Sequence, residues 1–360
     1  MKQFIFREIP DSEVFDPTSL VSNTPFTQAN FYGEWQKSLD RKVSRFLVNE
    51  IDVAAGDKVG KTVAYFQIIK YPLIFKKNYL YIPYGPVVKE ISKDLFVALK
   101  KELKKISRKE NAVFTRLDFT PPIGVMSGPE MVSETATDLV QIFTKAPKYT
   151  YHSAYFQPRL EWFLDLNKSE EQILTEMHKN TRYSIKTSEK REVATQIITE
   201  NFLEYFEPFY ELIQETAKRD GFNLHQKRYY QNIFENLDKS YGYLSVARFG
   251  RKILSVDIFI IFGKTSNYVF GCSSNEERNR LPSYAAQWRA IQYAKERGYT
   301  EHSFGGISTQ DKTYKGWDGL SSFKRKFGGR EVQHSDFYDV VVKPFWYHAY
   351  NLRKRLRKLS

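Results

Sequence analysis

GYLSVARFGRKILSVDIFIIFGKTSNYVFGCSSNEERNRLPSYAAQWRAIQYAKERGYTEHSF, residues Gly242–Phe304, is the stretch from which the fold is read. Three strands are expected at 242–248, 253–262 and 266–272, where β-branched and aromatic residues concentrate. A helix opens at Pro282-Ser283, since proline suits the first helical turn. It closes at Gly298, with Trp288 and Ile291 facing inward. His302–Phe304 then reads as a further strand.

Upstream, Tyr155–Leu166 reads as a strand ending in the turn Asp165-Leu166-Asn167. Ser169, followed by glutamates, opens a helix expected to run to about residue 187. Val193–Thr199 is a strand, and helices follow at about 201–218 and 226–237. Downstream come a strand, Asp336–Val342, and a basic amphipathic helix at 344–359. The order strand, two helices, three antiparallel strands, helix, strand resembles an N-acyltransferase fold of the acetyltransferase type.

The first half has a similar, looser order. Val43–Val53 and Thr62–Lys70 pair around a Gly56-Asp57…Gly60 turn, and Tyr79–Pro83 adds a short strand. Residues 92–107 form a helix with Leu95, Leu99, Leu103 and Ile106 on one face. Ala112–Phe119 is a strand, and a weaker helix is expected at about 134–144. The expected class is α+β, with two acetyltransferase-like (GNAT-type) domains and a cleft between them. The first would span 1–152, with segment 336–360 packing on it, and the second 153–335.

Bulk properties narrow the functional classes. The chain has 360 residues, 41% of them hydrophobic, enough for a sizeable core. Lys and Arg outnumber Asp and Glu by 13, which favours polyanionic partners: nucleic acid, a nucleotide-sugar diphosphate or an anionic membrane face. One cysteine, Cys272, excludes a disulfide framework and a cysteine-based zinc site. The N-terminus lacks the apolar core of a signal peptide. The longest apolar run, Phe66–Phe75, is broken by Lys70 and Pro72. A cytoplasmic chain is expected, with peripheral contact at the inner membrane face as its closest approach to lipid.

Several motifs fail on chemistry. Ala55–Thr62 matches a phosphate-binding loop in letters, but a strand follows it instead of a helix. The six histidines are not spaced as metal ligands, so no metal is expected. The loop after the 266–272 strand reads Glu276-Glu277-Arg278-Asn279-Arg280-Leu281-Pro282. Coenzyme A-dependent acetyltransferases cradle a pyrophosphate there on glycine-rich backbone. This loop has no glycine, and its two glutamates repel phosphate. The fold order points to acyl transfer, while the usual acyl carrier does not fit.

Ordered segments then carry a family resemblance: Thr27-Gln28…Glu34-Trp35, Tyr84-Gly85-Pro86-Val87, Arg116-Leu117-Asp118, Gln157-Pro158-Arg159, Pro282-Ser283-Tyr284, Ser303–Ile307 and Phe323–Gly329. Their order across about 20–345 resembles the Fem family of peptidoglycan interpeptide-bridge aminoacyltransferases. The 201–237 helices are too short for the coiled arm of some members. The resemblance implies an aminoacyl-tRNA donor and an acceptor amine on lipid II or UDP-MurNAc-pentapeptide, with no cofactor. It makes the second domain the donor side.

It also implies roles. Lys324, after Phe323, would stabilise the oxyanion at the reacting ester. Asp118 would hold or deprotonate the incoming ammonium, and Tyr229 would line the acceptor site. An expected phosphate-binding lysine falls on Leu39, with Lys37 or Lys42 as substitutes. A phosphate-binding arginine falls near His225, beside Lys227 and Arg228. These departures touch the phosphate contacts, count against the soluble UDP-linked acceptor and leave lipid II open. Two other readings stay open: a coenzyme A- or carrier-dependent N-acyltransferase, and a non-catalytic basic protein that binds RNA or a membrane surface. The tail, Phe345-Trp346…Arg353-Lys354-Arg355, suits either polyanion.

Overall fold

The computed structural model describes residues 2–52, 58–120, 140–147, 157–309 and 317–359, divided between two compact units. One holds Met1–Arg159 together with Gln333–Ser360, and the other holds Leu160–Val332.

The first unit is built on β1 (Phe4–Ile9), β2 (Lys42–Asp52), β3 (Lys58–Pro72), β4 (Asn78–Ile82), β5 (Val87–Val88), β6 (Ala112–Asp118), β7 (Thr144–Lys145) and β15 (Phe337–Val341). Helix α1 (Asn30–Lys37) precedes β2, α2 (Lys93–Lys109) links β5 to β6, and α9 (Pro344–Leu359) follows β15. The sheet order is β1-β2-β3-β4-β6-β15-β7, with β5 on β3. The ladder is antiparallel except for β4 beside β6, a parallel pair because α2 carries the chain back to the same end.

Ser92 caps α2 by accepting from the Leu95 N–H. Leu95, Leu99, Leu103 and Ile106 bury against Phe66, Leu80, Phe96 and Phe119, as their spacing predicts. Burying each such side chain contributes about 1.5–3 kcal/mol.

The second unit repeats the scheme. Its strands are β8 (Leu160–Asp165), β9 (Ala194–Ile198), β10 (Gly242–Phe249), β11 (Lys252–Phe262), β12 (Thr265–Ser273), β13 (Glu301–Gly306) and β14 (Arg330–Gln333). Its helices are α3 (Glu170–Glu176), α4 (Lys179–Lys190), α5 (Phe206–Asp220), α6 (Lys227–Asn236), α7 (Pro282–Glu296) and α8 (Asp318–Arg325). The order is β14-β8-β13-β12-β11-β10-β9, and β12 and β13, joined through α7, form a parallel pair. The three central strands and α7 fall where the sequence places them.

Some expectations change. The helix expected from Ser169 to about 187 is two helices, α3 and α4. Ser169 makes the anticipated capping box with Gln172. The chain then leaves the helix at Met177 and His178, because the His178 N–H donates to the Lys326 carbonyl at 2.9 Å. His178 restarts the helix by accepting from the Asn180 N–H. The expected 134–144 helix falls mostly outside the described residues, and its end, Thr144, lies in β7. The Gly56-Asp57 turn lies outside them too. Elements β1, β5, β14, α1 and α8 were not anticipated.

A buried ion pair ties the returning C-terminal segment into the first unit. Arg116 on β6 donates from Nε and Nη2 to the two oxygens of Asp339 on β15, at 2.7 and 2.6 Å. Both side chains are fully buried. The Tyr347 hydroxyl of α9 donates to the same carboxylate at 2.6 Å. Removing one member of such a pair strands a charge, so Asp339→Asn should cost about 3–5 kcal/mol in urea unfolding. Adding Arg116→Met should recover part of that loss.

Candidate active site

The crossover through α7 sets the geometry of the second unit's site. Strands β12 and β13 pair only over Thr265–Asn267 with Glu301–Ser303. Past that point they form no further ladder pair among the described residues. Strand β13 bulges against β8 between Ser303 and Gly306. Gly305 sits there at φ +71°, where a Cβ would stand 3.2 Å from the Tyr268 carbonyl of β12. Only glycine suits both the backbone angle and the close approach.

Lys324 fills the place where the strands part. Its ammonium donates to the Gly306 carbonyl at 2.7 Å and lies 5.8 Å from the Tyr268 ring centroid. It is 5% exposed. Burial pulls its pKa down to about 7, and the charge of Glu161 on β8 opposes that shift.

Helix α8 holds the lysine there through its neighbours. Ser321 accepts from the Ser308 N–H, just beyond β13, at 2.6 Å. Phe323 packs its ring 5.1 Å from Tyr284 on α7 and 5.2 Å from Phe327. A buried ammonium with one carbonyl partner and a titration point near neutrality can donate to a developing oxyanion.

A second group of candidates meets on β12. The His225 ring lies 4.3 Å from Tyr229, and both face Phe270, at 6.5 and 6.2 Å. Phe270 is two residues along the strand from Tyr268. A bulge in β12 sets Phe270 on the sheet face opposite Tyr268, so Lys324 and the His225–Tyr229 pair approach this strand from its two faces, while Phe323 packs on α7. Arg228 lies on the exposed side of α6, ion-paired to Glu235 at 2.8 Å.

The cations offered for acceptor phosphate are each matched to a carboxylate. Lys37 pairs with Asp11 at 2.5 Å and Glu34 at 3.1 Å. Lys42 pairs with Glu110, and Lys227 with Glu207.

In the first unit, Asp118 ends β6, the strand that corresponds to β13. Its oxygens accept from the Tyr81 hydroxyl at 2.7 Å and the Tyr84 N–H at 2.6 Å. Burial pushes its pKa up to about 7; the two hydrogen bonds and the nearby His334 act in the other direction. The His334 ring lies 4.5 Å from that of Tyr84. A carboxyl held near neutrality is suited to taking a proton.

One feature escaped the sequence reading. At Val269, β12 bulges: Ile258 faces Phe270 and Phe259 faces Tyr268. The bulge turns Tyr268 onto the same face as Gly271 and Asp257. A Cβ on Gly271 would stand 1.9 Å from the Tyr268 hydroxyl and 2.4 Å from an Asp257 oxygen, so glycine is required. Asp257 accepts from Gln287 Nε2 of α7 at 2.8 Å. Behind the ring beside Lys324 thus lies a buried carboxyl. Its signal in the sequence was a lone acid inside the apolar run Ile253–Phe262.

No group of His, Cys, Asp and Glu among the described residues is placed to hold a metal ion. The turn after β12 carries Glu276, paired to Lys252, and Glu277, paired to Arg280 at 2.7 Å. Glu215 accepts from the Asn275 N–H at 2.8 Å. The turn's glutamates are balanced by Lys252 and Arg280, and its backbone has no glycine for the close approach that a pyrophosphate needs.

Asp257 makes stability depend on pH. Burial raises its pKa to about 8, so the folded chain keeps a proton that the unfolded chain releases near pH ~4. Its contribution therefore falls as pH rises from about 4 to about 8. Asp257→Asn should melt above wild type beyond pH ~8, by roughly 3 °C or more, the change that about 1 kcal/mol produces in a unit this size. The gap should close toward pH ~4.

Comparison with known proteins follows the same lines. A crystal structure of FemX superposes with a TM-score of 0.80 at 19% identity, covering 96% of this chain and all of that one. A tandem GNAT protein of the clavulanic acid pathway gives 0.56 at 8% identity, covering 94% and 99%. These likenesses place the fold among tandem acetyltransferase-like proteins. A Lipid II:glycine glycyltransferase of Staphylococcus haemolyticus (strain JCSC1435) is 23% identical, covering 79% of this chain and 84% of the relative. The same-named protein of Staphylococcus aureus (strain USA300) matches at the same identity and coverage. The FemAB family model matches residues 24–252 and 245–355, and the chain belongs to the FemAB family.

Proposed function

We propose that this chain is an aminoacyltransferase of peptidoglycan interpeptide-bridge synthesis, with aminoacyl-tRNA as donor and lipid II as acceptor. The observation that carries this is the Lys324 ammonium, buried where β12 and β13 part and bonded to the Gly306 carbonyl. The relatives' name supports lipid II as the acceptor. The glycine-free turn after β12, its glutamates paired to Lys252 and Arg280, disfavours a pyrophosphate-bearing carrier.

The reaction is acyl transfer from an ester to an amine. The acceptor nitrogen attacks the ester carbonyl carbon, forming a C–N bond and a tetrahedral oxyanion. The C–O bond to the tRNA ribose then breaks, and the ribose oxygen leaves with a proton. The ester is already activated, so the step proceeds without ATP. Lys324 donates to the oxyanion, which carries more charge in the transition state than the ground-state carbonyl does. Asp118 holds the acceptor ammonium and takes its proton. Phe323 supports Lys324 on one face of the second unit's sheet, and Tyr229 and His225 offer rings to the acceptor on the other. Lys37 and Arg228 contact acceptor phosphate only by exchanging their present carboxylate partners.

The test is transfer of a radiolabelled amino acid from charged tRNA to lipid II, followed across pH. Lys324→Met should lower kcat about 10²–10³-fold, with KM for charged tRNA changed less than about twofold. Lys324 must be protonated and Asp118 ionised, and both titrate near 7. The wild-type rate should therefore rise and fall around pH ~7, and Asp118→Asn should remove the acid limb. Label failing to reach lipid II from folded protein would sink the proposal.

A further inference from the structure

We propose that the outer face of α9, together with the turn between β3 and β4, is a docking surface for an anionic phospholipid bilayer. This goes beyond the proposed activity, and its test does not require turnover.

Helix α9 has two apolar faces. The inner one packs on the first unit: Tyr347 and Asn351 are buried, and the Tyr350 ring lies 5.1 Å from Phe114. A helix held by one face ordinarily carries polar residues on the other. Here Phe345, Leu352 and Leu356 are 76%, 58% and 58% exposed. Their spacing of seven and four residues aligns them along one side, with exposed Ala349 between. Arg353 and Arg355, both exposed, flank this stripe on either side.

The stripe continues onto the β3–β4 turn. Ile74 and Phe75 project there, half exposed and 72% exposed. Phe75 lies 5.5 Å from the Trp346 ring of α9, and the Lys77 ammonium sits 5.5 Å from the same ring. Exposed Lys76 adds a further cation. Neither the turn, 71–78, nor the helix, 344–359, contains an aspartate or glutamate.

An apolar ridge with a tryptophan, bordered by cations and free of acids, matches the acyl–headgroup boundary of an anionic leaflet. A second copy would set like charges against each other. RNA would use the cations and rings but gives exposed leucine and isoleucine no partner.

The experiment is flotation with vesicles of phosphatidylglycerol and phosphatidylcholine lacking lipid II. Wild type should partition into them at least tenfold more strongly than into phosphatidylcholine alone. A Phe75→Ser/Leu352→Gln/Leu356→Gln variant should bind at least tenfold more weakly, with an unchanged melting curve because these side chains are exposed. Arg353→Glu/Arg355→Glu should weaken binding and flatten its salt dependence. Equal binding to both vesicle types, wild type left unfloated, or undiminished binding by the triple variant would each overturn the assignment. So would a wild-type dimer in sedimentation that the triple variant loses. Failure of transfer to lipid II with vesicle binding intact would count against the enzymatic proposal alone.

Discussion

Where a parallel pair joined through a helix ends, the backbone groups beyond its last ladder bond must find other partners. Both units face this demand at the same place and meet it with a charge. In the first, the Tyr84 N–H just beyond β4 is taken up by Asp118 at the end of β6. In the second, the Gly306 carbonyl at the end of β13 is taken up by Lys324. Satisfying the backbone there requires burying an ion, and burial moves each group toward titration near neutrality. The proposed chemistry rests on side chains that the fold needs for its own hydrogen bonds.

The same economy runs through the supports. Arg116 and Asp339, 223 residues apart, join β6 to β15, and Tyr347 extends the link to α9. Strand β6 thus carries Arg116 and, two residues on, Asp118, so one strand's register fixes both the structural pair and the candidate base. In the second unit, the bond from His178 to Lys326 breaks a long helix in two and anchors the end of α8 beyond Lys324. The inner aromatic face of α9 likewise leaves its outer stripe exposed.

The central strands, α2 and α7 were legible because their periodicities are strong and their ends marked: Ser92 before α2, Pro282 at the start of α7. Lys324 and Phe323 could be picked out by their resemblance to a family pattern, but helix α8 beneath them could not. Its apolar positions are too few for a periodic signal. The break at His178 was invisible because its cause is a hydrogen bond to a residue 148 positions away. The Tyr268–Asp257 arrangement was hidden by the bulge at Val269, which reverses the alternation by which inward positions are counted. Lys37 and Lys42 looked like phosphate ligands while the carboxylates of Asp11 and Glu110, distant in sequence, were unseen.

The lone cysteine offers a window on motion in the second unit. Cys272 is 4% exposed, its thiol directed at the carbonyls of Val256 and Phe209, and burial raises its pKa well above the ordinary value. A thiol reagent therefore meets a nearly inert native molecule and reacts when β11, β12 and α5 separate. The rate of that labelling is a built-in clock for the opening of the strand that carries Tyr268 and Phe270. The same inertness leaves the surface clean for a single engineered thiol, so a spectroscopic probe can be attached without first removing a native one.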